Sequence, residues 1–252
     1  MLMATSLKWK QLFFAIILIS NTSVYSSISK KIKYKSSFNN CPSQSAGKFA
    51  MKALKKFEET NSLYDVKTEI NDNFLQDKYF IKNYAIEVDP TENVMNITLN
   101  CPLALLRVVL MDSEAQGEFQ SVLVDGGELF DPTYETLLLG EKKLKTYLPT
   151  LAIHKDNLNE KNRVEISRII KSLGSENLSK ISEVIFDNEK VLTMILSLNK
   201  KPVSVFLGKG NYGEKTAKLR RLLKYVHANN KQPKVINLVN VKKVVVKFAH
   251  KK

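Results

Sequence analysis

The chain has 252 residues, 44% of them hydrophobic and 25% charged, which excludes a wholly disordered chain and leaves room for one large or two small cores. Lys and Arg outnumber Asp and Glu by 39 to 25, a formal net charge of +14, so anionic partners are favoured. Two cysteines and three scattered histidines point away from a metal centre, and few aromatics interleave among the lysines, so no base-stacking platform for nucleic acid is evident.

Lys8 and Lys10 precede the apolar run "LFFAIILI" at residues 12–19, and no charge follows until Lys30. A positive segment ahead of an apolar one is an export signal or an anchor, so the remainder is expected outside the cytoplasm. In that oxidising setting Cys41 and Cys101 are read either as a pair or as two buried thiols. Residues 30–43 suggest a polar linker with a short first strand.

From Ala46 to Leu63 the apolar positions Phe49, Ala50, Ala53, Leu54 and Phe57 recur at three- and four-residue spacing, which predicts a helix. Residues 64–82 are polar and carry no clear period. Residues 84–99 predict strand, turn, strand: Asp89-Pro90 opens the turn, and Met95, Ile97 and Leu99 alternate with polar residues. After Pro102 come an apolar strand and a hairpin, "QSVLVDGGELFD", turned at Asp125-Gly126-Gly127. A helix is predicted over 157–173, ending at Gly174. Three strands follow, then a helix from about Glu214 to His227, then strands "KVINLVNV" and "KKVVVKF".

Gly208, Gly210 and Gly213 spell G-x-G-x-x-G between a strand and a helix. The acidic residue that a dinucleotide site needs some 20 positions later is missing, because no Asp or Glu follows Glu214. A P-loop requires Lys and Ser/Thr directly after the last glycine, and here Glu214 displaces Lys215-Thr216 by one position. The loop is therefore read as a tight strand-to-helix turn, with no nucleotide or other cofactor. His154, His227 and His250 have no nucleophile placed beside them, and Asp125 and Glu128 read as solvated turn residues. No catalytic site, no metal site and no small-molecule substrate are expected, and the chain is not read as an enzyme.

The ordered series "LPTLAI", "VEISRIIKSL", "VSVFLG" followed by a helix with Lys218-Leu219, and Ile236-Asn237-Leu238-Val239 resembles the FtsQ/DivIB family of bacterial cell-division proteins. Pro90, Met95, Ile97, Pro102 and Ala104 match that family's upstream hairpin, whereas Asn237 and Val239 replace its usual Asp and Arg. The resemblance implies an α+β fold with a cytoplasmic tail (1–10), an N-terminal membrane anchor or signal (11–29), a small POTRA-type domain (30–104) and a strand-rich β domain with two helices (105–252). It implies an inner-membrane, single-pass protein at the division septum whose bulk lies in the periplasm or otherwise outside the cytoplasm. It further implies a non-enzymatic scaffold that binds small bitopic coiled-coil partners of the FtsB/FtsL type by strand addition near the C-terminus. The partner-binding residues would be Val239, Asn240, Val244, Val245, Val246 and Phe248, with Val244 and Val246 facing one way and Val245 the other. The alternative reading is a secreted basic protein that binds an anionic polymer or nucleic acid.

Overall fold

The computed structural model describes residues 32–74, 80–111 and 120–248. The first part is a small unit in the order β1 (Lys33–Ser37), α1 (Ser43–Thr60), α2 (Leu63–Glu69), a π-helical turn (Ile70–Phe74), β2 (Asn83–Asp89) and β3 (Val94–Asn100). Its three-stranded sheet runs β1-β3-β2, with β1 parallel and β2 antiparallel to β3. Phe49, Ala53 and Phe57 of α1 bury against Met95, Ile97 and Leu99 of β3, the faces that the two periodicities select. The β2–β3 turn forms because the Asp89 side chain accepts from the backbone N–H groups of Thr91 (2.8 Å) and Glu92 (3.2 Å). Cys41 and Cys101 form a disulfide that ties the approach to α1 to the end of β3, so the two cysteines are a pair and not two separate thiols.

The second part contains β4 (Ala104–Leu110), β5 (Gln120–Val124), β6 (Leu129–Phe130), α3 (Thr133–Gly140), β7 (Thr150–Ile153), a 3-10 turn (Lys155–Asn157), α4 (Glu160–Ser172) and α5 (Ser175–Leu178). It continues with β8 (Ile181–Phe186), β9 (Leu192–Leu198), β10 (Lys201–Gly208), α6 (Tyr212–Ala228), β11 (Pro233–Asn237) and β12 (Val245–Phe248). Among the described residues the strands form one nine-stranded sheet, β12-β11-β10-β9-β8-β7-β4-β5-β6. Parallel pairs occur where helices make the crossovers, with α4 and α5 between β7 and β8 and α6 between β10 and β11. Ile166 and Ile170 of α4 and Leu219 and Leu223 of α6 share one core with the alternate residues of β7 to β11. The β5–β6 hairpin sits hard against α4. Gly127 has φ +86°, and a Cβ there would lie 2.7 Å from the backbone nitrogen of Val164. Arg163 Nε donates to the Gly127 carbonyl at 2.9 Å and fastens the same contact.

Two expectations need correction. The fold class with a membrane anchor is not supported: the structure is α+β with a large strand-rich sheet, and no helix among the described residues is long and apolar enough to cross a membrane. The longest, α1 and α6, each carry a charged face. Residues 11–29, where the anchor was expected, lie outside the described residues. The large unit also holds more than two helices. The helix α3 was missed because "TYETLLLG" is too short for a period to show, and α5 is a single turn.

The two units meet over a continuous junction. Tyr134 of α3 is fully buried, stacks on Phe80 at 4.2 Å between ring centroids, and donates its hydroxyl to the Pro102 carbonyl at 2.8 Å. Burial, then the nearby Asp125 carboxylate, pushes the Tyr134 phenol well above its ordinary pKa. Asp125 accepts from the Leu103 N–H at 2.8 Å. Glu141, just after α3, caps α1 from across the junction. Its carboxylate accepts from the Gln44 N–H at 2.7 Å and from both the N–H and the hydroxyl of Ser43. α1 lacks a side-chain cap of its own and has no acidic residue in its first turn, so this borrowed carboxylate satisfies its free N–H groups.

Candidate functional site

The C-terminal crossover begins with β10, whose Val203, Val205 and Leu207 are buried while Phe206 on the other face is exposed. The chain then turns sharply into α6 through Gly208 (φ +65°), Gly210 (φ +62°) and Asn211 (φ +51°). A Cβ at Gly208 would stand 3.1 Å from Cγ1 of Val239, so the glycine admits both the left-handed turn and the close approach of the next loop. Lys215 is 1% exposed, and its ammonium donates to the carbonyls of Leu207 (2.7 Å) and Lys209 (2.8 Å). Burial lowers its pKa. Thr216 donates back to the Tyr212 carbonyl at 2.9 Å. Both side chains that evoke a phosphate loop are therefore turned into the strand end and the helix, where they fix the turn.

α6 delivers the chain to β11, which pairs parallel with β10. Leu238 N–H donates to the Phe206 carbonyl at 2.8 Å and extends that pairing by one rung. The following loop is held by side chains: Asn237 Oδ1 accepts from Val239 N–H (3.0 Å), Asn240 Oδ1 accepts from Lys242 N–H (2.8 Å), and Lys218 of α6 donates to the Val241 carbonyl. β12 then pairs antiparallel with β11, in the register Asn237 with Val245, Ile236 with Val246 and Val235 with Lys247. Among the described residues β12 has β11 as its sheet neighbour and stands at the end of the strand order, so its outer row of N–H and C=O groups has no strand partner there.

The six residues singled out from sequence divide by role. Val239, 50% exposed, rests on Gly208. Asn240 is engaged in the loop, holding Lys242. Val244 is exposed ahead of β12, and Val245 is exposed within it. Val246 is half-buried against the large core, on the side covered by α6. Phe248, 43% exposed, lies under Lys231, whose ammonium is 5.7 Å from its ring centroid. That ammonium also donates to the Tyr225 hydroxyl at 2.8 Å, 4.9 Å from that ring's centroid, so Lys231 bridges Tyr225 and Phe248.

Sequence reading missed Lys231 and Tyr225, and took Lys218 only as a motif residue of α6, because their relation to β12 runs through the crossover and leaves no local pattern. An exposed aromatic on the polar face of α6 was the available hint. Behind this edge, between the C-terminal half of α6 and the β9–β10 turn, lies a cleft of about 410 Å³. Leu198, Leu223 and Val226 line it with Lys180, His227 and Lys231. Among the described residues no group of three or more His, Cys, Asp or Glu is placed to hold a metal. The arrangement offers backbone pairing and mixed apolar and cationic contact. No family model and no curated protein matches the chain.

Proposed function

We propose that the chain is a non-enzymatic scaffold of the bacterial division septum, akin to the FtsQ/DivIB proteins. In this reading it captures a small bitopic partner of the FtsB/FtsL type by taking one of its segments as a strand beside β12. The observation that carries the reading is the unpaired outer edge of β12, flanked by exposed Val244, Val245 and Phe248. Backbone pairing along such an edge supplies affinity, and the side chains on each face supply selectivity. The ordered series of motifs from "LPTLAI" to "KKVVVKF" supports the assignment. The disulfide between Cys41 and Cys101 supports a location outside the reducing cytoplasm.

The test is capture of the FtsB/FtsL-type protein of the same cell by the purified full chain. Phe248→Ala and Val245→Pro are each expected to weaken capture by about tenfold or more, the first by removing an anchor and the second by breaking the strand. Unchanged capture by both variants refutes the edge assignment. A fluorescent fusion that fails to gather at the division plane refutes the cellular role.

A further inference from the structure

The charge of the molecule is not spread evenly. Residues 215–252 contain twelve Lys and Arg and no Asp or Glu; the other 27 cations, all in residues 1–214, nearly balance 25 carboxylates. Almost the whole excess of +14 therefore belongs to α6, β11, β12 and the C-terminal residues beyond them. Among the described residues beyond 214, only Lys218 has an ion-pair partner, Glu214 at 2.9 Å. Lys242 and Lys243 stand exposed where the chain enters β12, Lys247 is exposed within it, and Lys234 is exposed on β11. Lys231 is met by the Tyr225 hydroxyl and the Phe248 ring and by no carboxylate among the described residues. A lysine-rich free edge repels a second copy of itself, so self-pairing is disfavoured.

We infer that the strand this edge accepts is acidic, an extended peptide with a carboxylate opposite Lys247, further carboxylates where it passes Lys242 and Lys243, and apolar side chains opposite Val245 and Phe248. The inference rests on the edge-docking reading and adds the chemistry of the occupant. Side chains directly opposite one another on one face of a sheet interact, and opposite charges there stabilise the pair. The uncompensated lysines also steer an anionic segment to the edge before pairing begins. A peptide strand is favoured over a bare polyanion because the same strip exposes Val239, Val244, Val245 and Phe248, which a polyelectrolyte leaves unused.

The test uses the purified full chain and synthetic strands of roughly eight residues, N-methylated along one edge so that each pairs once. One strand carries Val where it faces Val245 and Phe248 and Glu where it faces Lys247 and passes Lys242 and Lys243, a second has Gln in place of Glu, and a third has Lys. The Glu strand is expected to bind about tenfold more tightly than the Gln strand at low salt, since several exposed ion pairs each contribute a few-fold. That advantage should shrink as salt shortens the screening length. The combined variant Lys242→Glu, Lys243→Glu, Lys247→Glu should keep its melting temperature and prefer the Lys strand.

Equal binding of the Glu and Gln strands would overturn the acidity inference and leave edge docking intact. Binding of none of the strands would overturn both. Equally tight binding of a proline-interrupted glutamate peptide, or of a short DNA duplex, would also overturn the inference, because charge without strand pairing would then suffice.

Discussion

The two ends of the nine-stranded sheet are finished in opposite ways. At the β6 end the last strand is two residues long, and the chain leaves it directly into α3. There Phe80, Phe130 and Tyr134 form an aromatic cluster, Glu141 and Lys143 reach the small unit, and the disulfide lies just beyond. At the β12 end a four-residue strand has one neighbour, most of its side chains are exposed, and lysines surround it. The β6 end is closed against the small unit, whereas an outer backbone row without a strand partner and exposed lysines are left at the β12 end among the described residues. If the β12 edge docks a strand as proposed, stability and that docking depend on different ends, and each is expected to change without the other.

The largest effect is expected from Tyr134→Ala. It removes a fully buried ring and its hydrogen bond, at a cost of about 3–5 kcal/mol, while any strand binding at β12 stays the same once the protein is folded. Urea titration followed by a binding titration on the folded fraction checks both halves. Opening the disulfide with Cys41→Ser and Cys101→Ser comes next. It releases a 60-residue separation and should cost about 2–4 kcal/mol, read as early loss of the small unit in hydrogen exchange while β8 to β10 stay protected.

Gly208→Ala combines a left-handed φ with a 3.1 Å contact to Val239 and should cost about 1–2 kcal/mol. Unlike the first two changes it also disturbs the open end, and so is expected to weaken the proposed strand capture. Adding Val239→Ala should recover the contact part of the loss and not the backbone part.

The smallest effect is a pH dependence. The hydrogen bond from the Gln44 N–H, then that from the Ser43 hydroxyl, holds the Glu141 carboxyl below its ordinary value of 4.5. Its contribution is therefore fully present above that value and lost as pH falls through the lower folded-state value. Glu141→Gln should remove about 1 kcal/mol near neutrality and flatten the acid limb of the stability profile. Urea midpoints measured from neutral pH downward test this, and identical acid limbs in both proteins would count against the cap.

Elements with strong local periods were legible in the sequence. The stripe of α1, the alternation in β3, the Asp125-Gly126-Gly127 turn and the helix α6 all follow from the spacing of apolar residues and turn formers. α2 lay in a stretch without a period, and α3 was too short to declare one. Tertiary packing holds both. The junction was illegible for a different reason. Glu141 and Ser43 are 98 positions apart, and nothing near either residue announces that one caps the helix of the other. The glycine loop was legible as a turn, because Glu214 interrupts the phosphate signature. That Gly208 makes room for Val239 required the loop after β11 to be in place. At β12 the opposite facing of Val245 and Val246 was readable from sequence, whereas Val244 lies ahead of the strand, and the contact of Lys231 with Tyr225 and Phe248 depends on α6 and β12 meeting in space.

The sequestered ammonium of Lys215 offers an internal reporter. Amine-reactive reagents will tag the surface lysines of α6 and β12 within the first moments of exposure. Lys215 should stay untagged until the β10–α6 turn comes apart and frees the Leu207 and Lys209 carbonyls. Its mass shift, followed by peptide mapping over time, would then clock how often the C-terminal crossover breathes.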